Sequence, residues 1–86
     1  MMYKVIIKKE ALKELKLLPR IVVVDITKSI EQLSDNPRPA GCKKLKGSKE
    51  DLWRIRVGNY RVIYLIEDIV RIVNVRKIGH RKDVYN

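Results

Sequence analysis

Between Trp53 and Tyr64, apolar and polar residues alternate up to Val57, stop at Gly58-Asn59, and alternate again from Tyr60. A period of two around a two-residue break predicts a β-hairpin with a primed turn at Gly58-Asn59. In that register Val57 faces Tyr60 and Arg56 faces Arg61. Trp53, Ile55, Val57, Tyr60, Val62 and Tyr64 then share one face of the ladder. Arg54, Arg56 and Arg61 share the other. Like charges directly opposite each other destabilise a ladder, so a hairpin that carries such a cluster is suited to hold an anion there.

Before the hairpin the period changes. Tyr3 to Lys8 is β-rich and predicts a first strand. From Lys9 to Leu18, Ala11, Leu12, Leu15 and Leu18 recur at helical spacing. Pro19 ends that helix and opens the next. From Arg20 to Asp35, Val23, Ile26, Ile30 and Leu33 form one stripe. The β-branched run Ile21-Val22-Val23-Val24 opposes a helix, but the 3.6-residue period continues to Leu33. Asp35 to Gly41, with two prolines and a glycine, is a break. Lys43 to Ser48 is a basic loop or short edge strand. The hairpin strands fall at about 51–57 and 60–66, Glu67-Asp68 forms a second turn, and 69–78 forms a further strand that Gly79 breaks. A tight turn at Glu67-Asp68 would pair Asn74 with Arg61. The expectation is one domain over residues 1–86, a two-layer α+β fold in the order β-α-α-β-β-β. An αα-hairpin covers one face of an antiparallel meander sheet, which leaves the arginine face open.

Charge sharpens this reading. The 86 residues hold 20 Lys and Arg against 10 Asp and Glu, a net charge of +10, and most of the excess lies from residue 38 onward. So uneven a basic surface points first to nucleic acid, then to an anionic membrane, then to an acidic protein. No apolar run approaches the ~20 residues of a membrane span, and the opening residues lack a signal-peptide layout. With Cys42 alone, no disulfide framework forms. These features fit a cytoplasmic protein without a membrane partner. Cys42 reads as an inert loop thiol, and neither a metal-ligand cluster nor a cofactor motif is present, so no metal or cofactor is expected.

A break at Gly79 would free His80 and Arg81 at the sheet end near the Gly58-Asn59 turn. Arg56, Arg61, His80 and Arg81 could then converge in one patch, with Tyr85 returning over it. Phosphodiester cleavage needs such parts. Cations stabilise the pentavalent phosphorane, one group accepts and another donates a proton, and an aromatic plane holds a splayed base. Lys43, Lys44 and Lys46 would add phosphate contacts that carry no sequence information. Taken singly, each of these residues is an ordinary surface feature; their convergence is what makes a site.

The ordered set of segments resembles the RelE branch of the RelE/ParE toxin superfamily. The resemblance runs through Glu10-Ala11-Leu12-Lys13-Glu14-Leu15, Asn36-Pro37-Arg38-Pro39 and Lys44-Leu45-Lys46-Gly47. It continues through Trp53-Arg54-Ile55-Arg56, Gly58-Asn59-Tyr60-Arg61-Val62-Ile63-Tyr64 and Gly79-His80-Arg81-Lys82-Asp83-Val84-Tyr85. It implies a microbial-ribonuclease-like fold. It also implies the toxin of a type II toxin–antitoxin pair, a ribosome-dependent mRNA endonuclease that cuts without a metal through 2′-hydroxyl attack. The implied partners are mRNA in the ribosomal decoding site, ribosomal RNA and a cognate acidic antitoxin. The family's catalytic positions fall on Arg54, Arg56, Arg61, Arg81 and Tyr85. The bacterial archetype carries lysines at the positions of Arg54, Arg56 and His80. Arginine hardly deprotonates, so proton transfer would shift toward His80 or Tyr85. Two other functions fit the same residues: a ParE-like gyrase inhibitor on the same scaffold, and a non-catalytic nucleic-acid-binding module.

Overall fold

The computed structural model describes residues 2–47 and 49–80. In chain order the elements are β1 (Lys4–Ile7), α1 (Lys9–Lys16), α2 (Arg20–Asp35), β2 (Lys43–Lys44), β3 (Leu52–Val57), β4 (Tyr60–Glu67) and β5 (Ile72–His80). The expected two-layer α+β architecture is what forms. Helix α1 is shorter than its apolar spacing suggests. The N–H groups of Leu17 and Leu18 bond back three residues, to the carbonyls of Glu14 and Leu15, because the residue before a proline is pushed out of the helical region. Helix α2 keeps its β-branched run. Val22 and Val23 pack against the core, and Ile26, Ile30 and Leu33 are buried. Tertiary packing of the stripe outweighs the weak helix propensity of the valines.

The five strands lie in the order β1-β5-β4-β3-β2. The sheet is mixed rather than an antiparallel meander, since β1 pairs with β5 in parallel, from Lys4↔Ile72 to Ile7↔Val75. Both helices cover one face. Ala11, Leu15, Ile26, Ile30 and Leu33 meet Ile55, Val62, Tyr64, Ile66, Val73, Val75 and Ile78 there. Trp53 and Cys42 pack against the rim of this core and are half-buried.

The β3–β4 hairpin has the expected register, with Val57↔Tyr60 and Arg56↔Arg61. Gly58 sits at φ 59° and Asn59 stays at negative φ. That is the signature of a type II′ turn, which places glycine first. The second turn differs from expectation. Glu67 pairs with Ile72, so the loop is the four residues Asp68 to Arg71, with Arg71 in the left-handed region at φ 57°. The longer loop moves the register by four residues and a bulge in β5 by one more, so that Arg61 pairs with Gly79 instead of Asn74. A bulge at Arg76 adds one residue to β5 between the Tyr64↔Val75 and Ile63↔Lys77 pairs. β5 runs through Gly79 to His80 without a break. Past Val75, β1 no longer covers its edge, and there the Glu14 carboxylate accepts the Ile78 N–H at 3.0 Å.

The proline-rich break is tied to the sheet at the end opposite the hairpin turn. The buried Tyr64 hydroxyl donates to the Pro37 carbonyl at 2.7 Å, and burial pushes its pKa up, with the neighbouring Cys42 adding to the rise. The Arg38 guanidinium lies 5.1 Å over the Trp53 ring and grips both oxygens of Asp68, at 3.2 and 2.8 Å. Tyr3 donates its hydroxyl to the same carboxylate at 2.7 Å.

Candidate nucleic-acid interface

Strand pairing fixes which side chains share a face. On the side away from the helices, two rows of cations cross the sheet. One row is Arg56–Arg61–Gly79 on β3, β4 and β5. The other is Lys43–Arg54–Ile63–Lys77 on β2 through β5. In a two-residue hairpin the pair that closes the turn, here Val57↔Tyr60, is hydrogen-bonded, and the types then alternate. Arg56↔Arg61 is therefore the closely spaced, non-hydrogen-bonded type, with Cα atoms about 4.5 Å apart. The exchange of the Ile78 N–H to Glu14 agrees with this alternation, because it leaves Val62↔Ile78 as a non-hydrogen-bonded pair on the neighbouring ladder.

This face was expected to be open, and part of it is not. Arg54 is 5% exposed and Arg61 4%, while Arg56 is exposed. Both buried arginines are engaged by further interactions within the protein. Glu50 and Arg76 form a two-pronged ion pair at 3.3 and 2.8 Å. That pair reaches from the start of β3 to β5 across β4, where Leu65 is 9% exposed. Like charges directly opposite each other on a ladder repel, and an anion near them relieves the repulsion. Planar guanidiniums can bind phosphate through two parallel hydrogen bonds.

The remaining expected site residues are distributed as follows. Lys43 joins the arginine face. Lys44 pairs with Trp53 on the helix side and binds Asp51 at 3.3 Å. Lys46 lies exposed in the turn after β2. His80 does not converge with Arg56 and Arg61. It pairs with Tyr60, and the two rings meet edge to face, with centroids 5.6 Å apart. Because β5 continues through Gly79, alternation turns residue 80 to the helix side. Arg81 and Tyr85 lie outside the described residues. Lys77 and the Glu50–Arg76 pair escape a reading of the chain alone. The bulge inverts the alternation of β5, and no local pattern marks it.

The chain matches, over residues 5–85, the family model described as ParE toxin of the type II toxin-antitoxin system, parDE. It is also 40% identical, over 99% of its own length and 97% of the relative's, to a Methanocaldococcus jannaschii protein carried under the provisional name toxin RelE1. The chain belongs to the RelE/ParE family of type II toxins. Toxin RelG of Mycobacterium tuberculosis is 33% identical, with 81% of this chain and 79% of that protein covered. Among solved structures, the toxin resembles one in the archaeal RelE–RelB complex of Pyrococcus horikoshii. The TM-score is 0.83 and the identity 32%, covering 94% of this chain and 97% of that one. It likewise resembles one in the RelBE2 toxin–antitoxin complex of Mycobacterium tuberculosis, with TM-score 0.84, 26% identity, and 94% and 93% covered. No described helix of this toxin is long and apolar enough to cross a membrane.

Proposed function

We propose that this toxin is an endoribonuclease that cuts mRNA in the ribosomal decoding site. The observation that carries the reading is the close Arg56–Arg61 pair with Arg54 two positions along the same face. In the reaction the substrate 2′-oxygen attacks the adjacent phosphorus. A pentavalent phosphorane forms, the bond to the 5′-oxygen breaks, and a 2′,3′-cyclic phosphate remains. The proton of the 2′-hydroxyl passes to a base, and the departing 5′-oxygen receives one. Arg61 and Arg56 are suited to the charge that builds on the phosphorane, and Arg54 to holding substrate phosphate. Arg81 and Tyr85, at the family's catalytic positions, would complete the site with a further cation and a stacking or proton-transferring ring. Lys43 and Lys46 are suited to outer phosphates. Metal-independent cleavage is part of this reading, since guanidiniums supply the charge stabilisation.

The P. horikoshii and M. tuberculosis relatives were solved as toxin–antitoxin complexes, which supports a cognate antitoxin here as well. A net charge of +10 favours an acidic one that associates fast. The site of action is then the cytoplasm, on mRNA and ribosomal RNA.

The test is single-turnover cleavage of mRNA on purified ribosomes. Wild-type toxin should cut, and Arg61→Ala should slow the cut by roughly 10²–10³, the usual cost of one preorganised donor to an oxyanion. Full activity in Arg61→Ala would reject the site. One observation favours a second reading: the matched family model is that of ParE. As a gyrase inhibitor the toxin would leave ribosome-bound mRNA intact and stabilise gyrase–DNA cleavage complexes instead.

A further inference from the structure

Building on the ribonuclease reading, we infer that the substrate strand runs along β3 and β4 with one phosphate at the Arg56–Arg61 row and the next at the Arg54–Lys77 row, and that the Glu50–Arg76 pair ends this track. The rows lie two residues apart along the strands, hence about 6.5–7 Å, a separation comparable to that of successive phosphates in a single RNA strand. Lys77 and Lys43 are exposed at the two sides of the second row. Among the described residues neither forms an ion pair, so their charges are available to a ligand. Lys77 stands two strands from Arg54, with half-buried Ile63 between them. Lys77 is long enough to lean over Ile63 toward the fixed Arg54 and share one phosphate with it, and the apolar side chain beneath is a floor for the face of a base.

The next row along the strands is Leu52–Leu65–Asn74, which carries no cation. Above it the Glu50 carboxylate occupies the Arg76 guanidinium through both oxygens. A third phosphate would meet a carboxylate of its own sign there, and the cation that could receive it is already taken. The track therefore accepts two phosphates and then closes, which positions the cut by counting along the backbone rather than by reading bases.

The test pairs protein variants with mRNAs bearing a neutral methylphosphonate at one linkage, cleaved on ribosomes. In wild type, neutralising the phosphate next to the scissile one on the track side should lower kcat/KM on the order of tenfold, as for a lost charge-assisted contact. Lys77→Gln should lower cleavage of the normal mRNA by a similar factor, and Lys77→Arg should restore it. In Lys77→Gln the methylphosphonate should cost less than in wild type, only the Arg54 share remaining, because the two changes remove a common interaction. Neutralising the phosphate one step farther should be silent in wild type and costly in Glu50→Gln, where Arg76 is released. Exposed Lys28 on α2, changed to Gln, is the control and should have no effect. Multiplying effects of Lys77→Gln and the adjacent methylphosphonate would overturn the inference while leaving the ribonuclease reading in place. No cleavage of normal mRNA by wild type would overturn that reading and the inference with it.

Discussion

At the scale of single residues, burial separates roles that composition leaves equal. Arg54 and Arg61 are almost fully buried and Arg56 is exposed, so the first two are held in fixed geometry while Arg56 retains freedom to follow a ligand. His80 is locked edge-on to Tyr60 on the helix side, away from the arginine pair. His80→Gln should therefore leave the shape of the pH–rate profile unchanged. A flattened limb in that variant would return the imidazole to proton transfer. Tyr64 is fully buried and donates to the Pro37 carbonyl. Tyr64→Phe leaves that carbonyl without its donor and should cost about 1–3 kcal/mol in urea unfolding, with the fold retained.

Among the elements, the β3–β4 hairpin sets the proposed site, and its turn sets the hairpin. Gly58 at φ 59° begins a type II′ turn, a conformation costly for any residue with a Cβ. Gly58→Ala should lower stability by about 1–3 kcal/mol, seen as a lower Tm. If the strained turn relaxes by moving the register one residue, Arg56 and Arg61 leave their common face. Cleavage should then fall by more than the folded fraction does. A loss of activity that only tracks the unfolded fraction would separate the turn from the site. The β5 bulge acts in the opposite sense, because it brings Lys77 onto the arginine face and keeps Ile78 in the core.

Across the whole molecule, the two ends of the sheet do different work. The hairpin-turn end carries the cations. The far end is closed by Arg38, which grips Asp68 and lies over Trp53. The Arg38 guanidinium beside Asp68, with the Tyr3 hydroxyl, holds the Asp68 carboxyl down to a pKa of about 2, from 3.8. A carboxylate whose pKa falls on folding stabilises the native state above its unfolded pKa. That contribution is lost as pH drops through the folded value. The toxin should thus lose stability between about pH 4 and pH 2. Asp68→Asn should be less stable than wild type at neutral pH and lose less across that acid range. Equal acid slopes in the two proteins would remove Asp68 from the transition.

Period and turn chemistry were enough to determine α2 over Arg20–Asp35, the hairpin register and the opposition of Arg56 to Arg61, because each depends on residues close in the chain. The helix stripe and the alternating strand also determined which faces meet in the core. Three features required the folded molecule. The parallel β1–β5 pairing joins segments more than sixty residues apart, with no turn between them to signal it. The four-residue loop at Asp68 to Arg71 and the bulge at Arg76 depend on how β5 packs against β4 and α1; the loop sets which residues pair, and the bulge decides that His80 turns to the helices and Lys77 to the arginines. The burial of Arg54 and Arg61 on the face that the helices leave uncovered has no signal in the alternation of the strands. Alternation assigns a side chain to a face, and only the tertiary structure decides whether that face remains open.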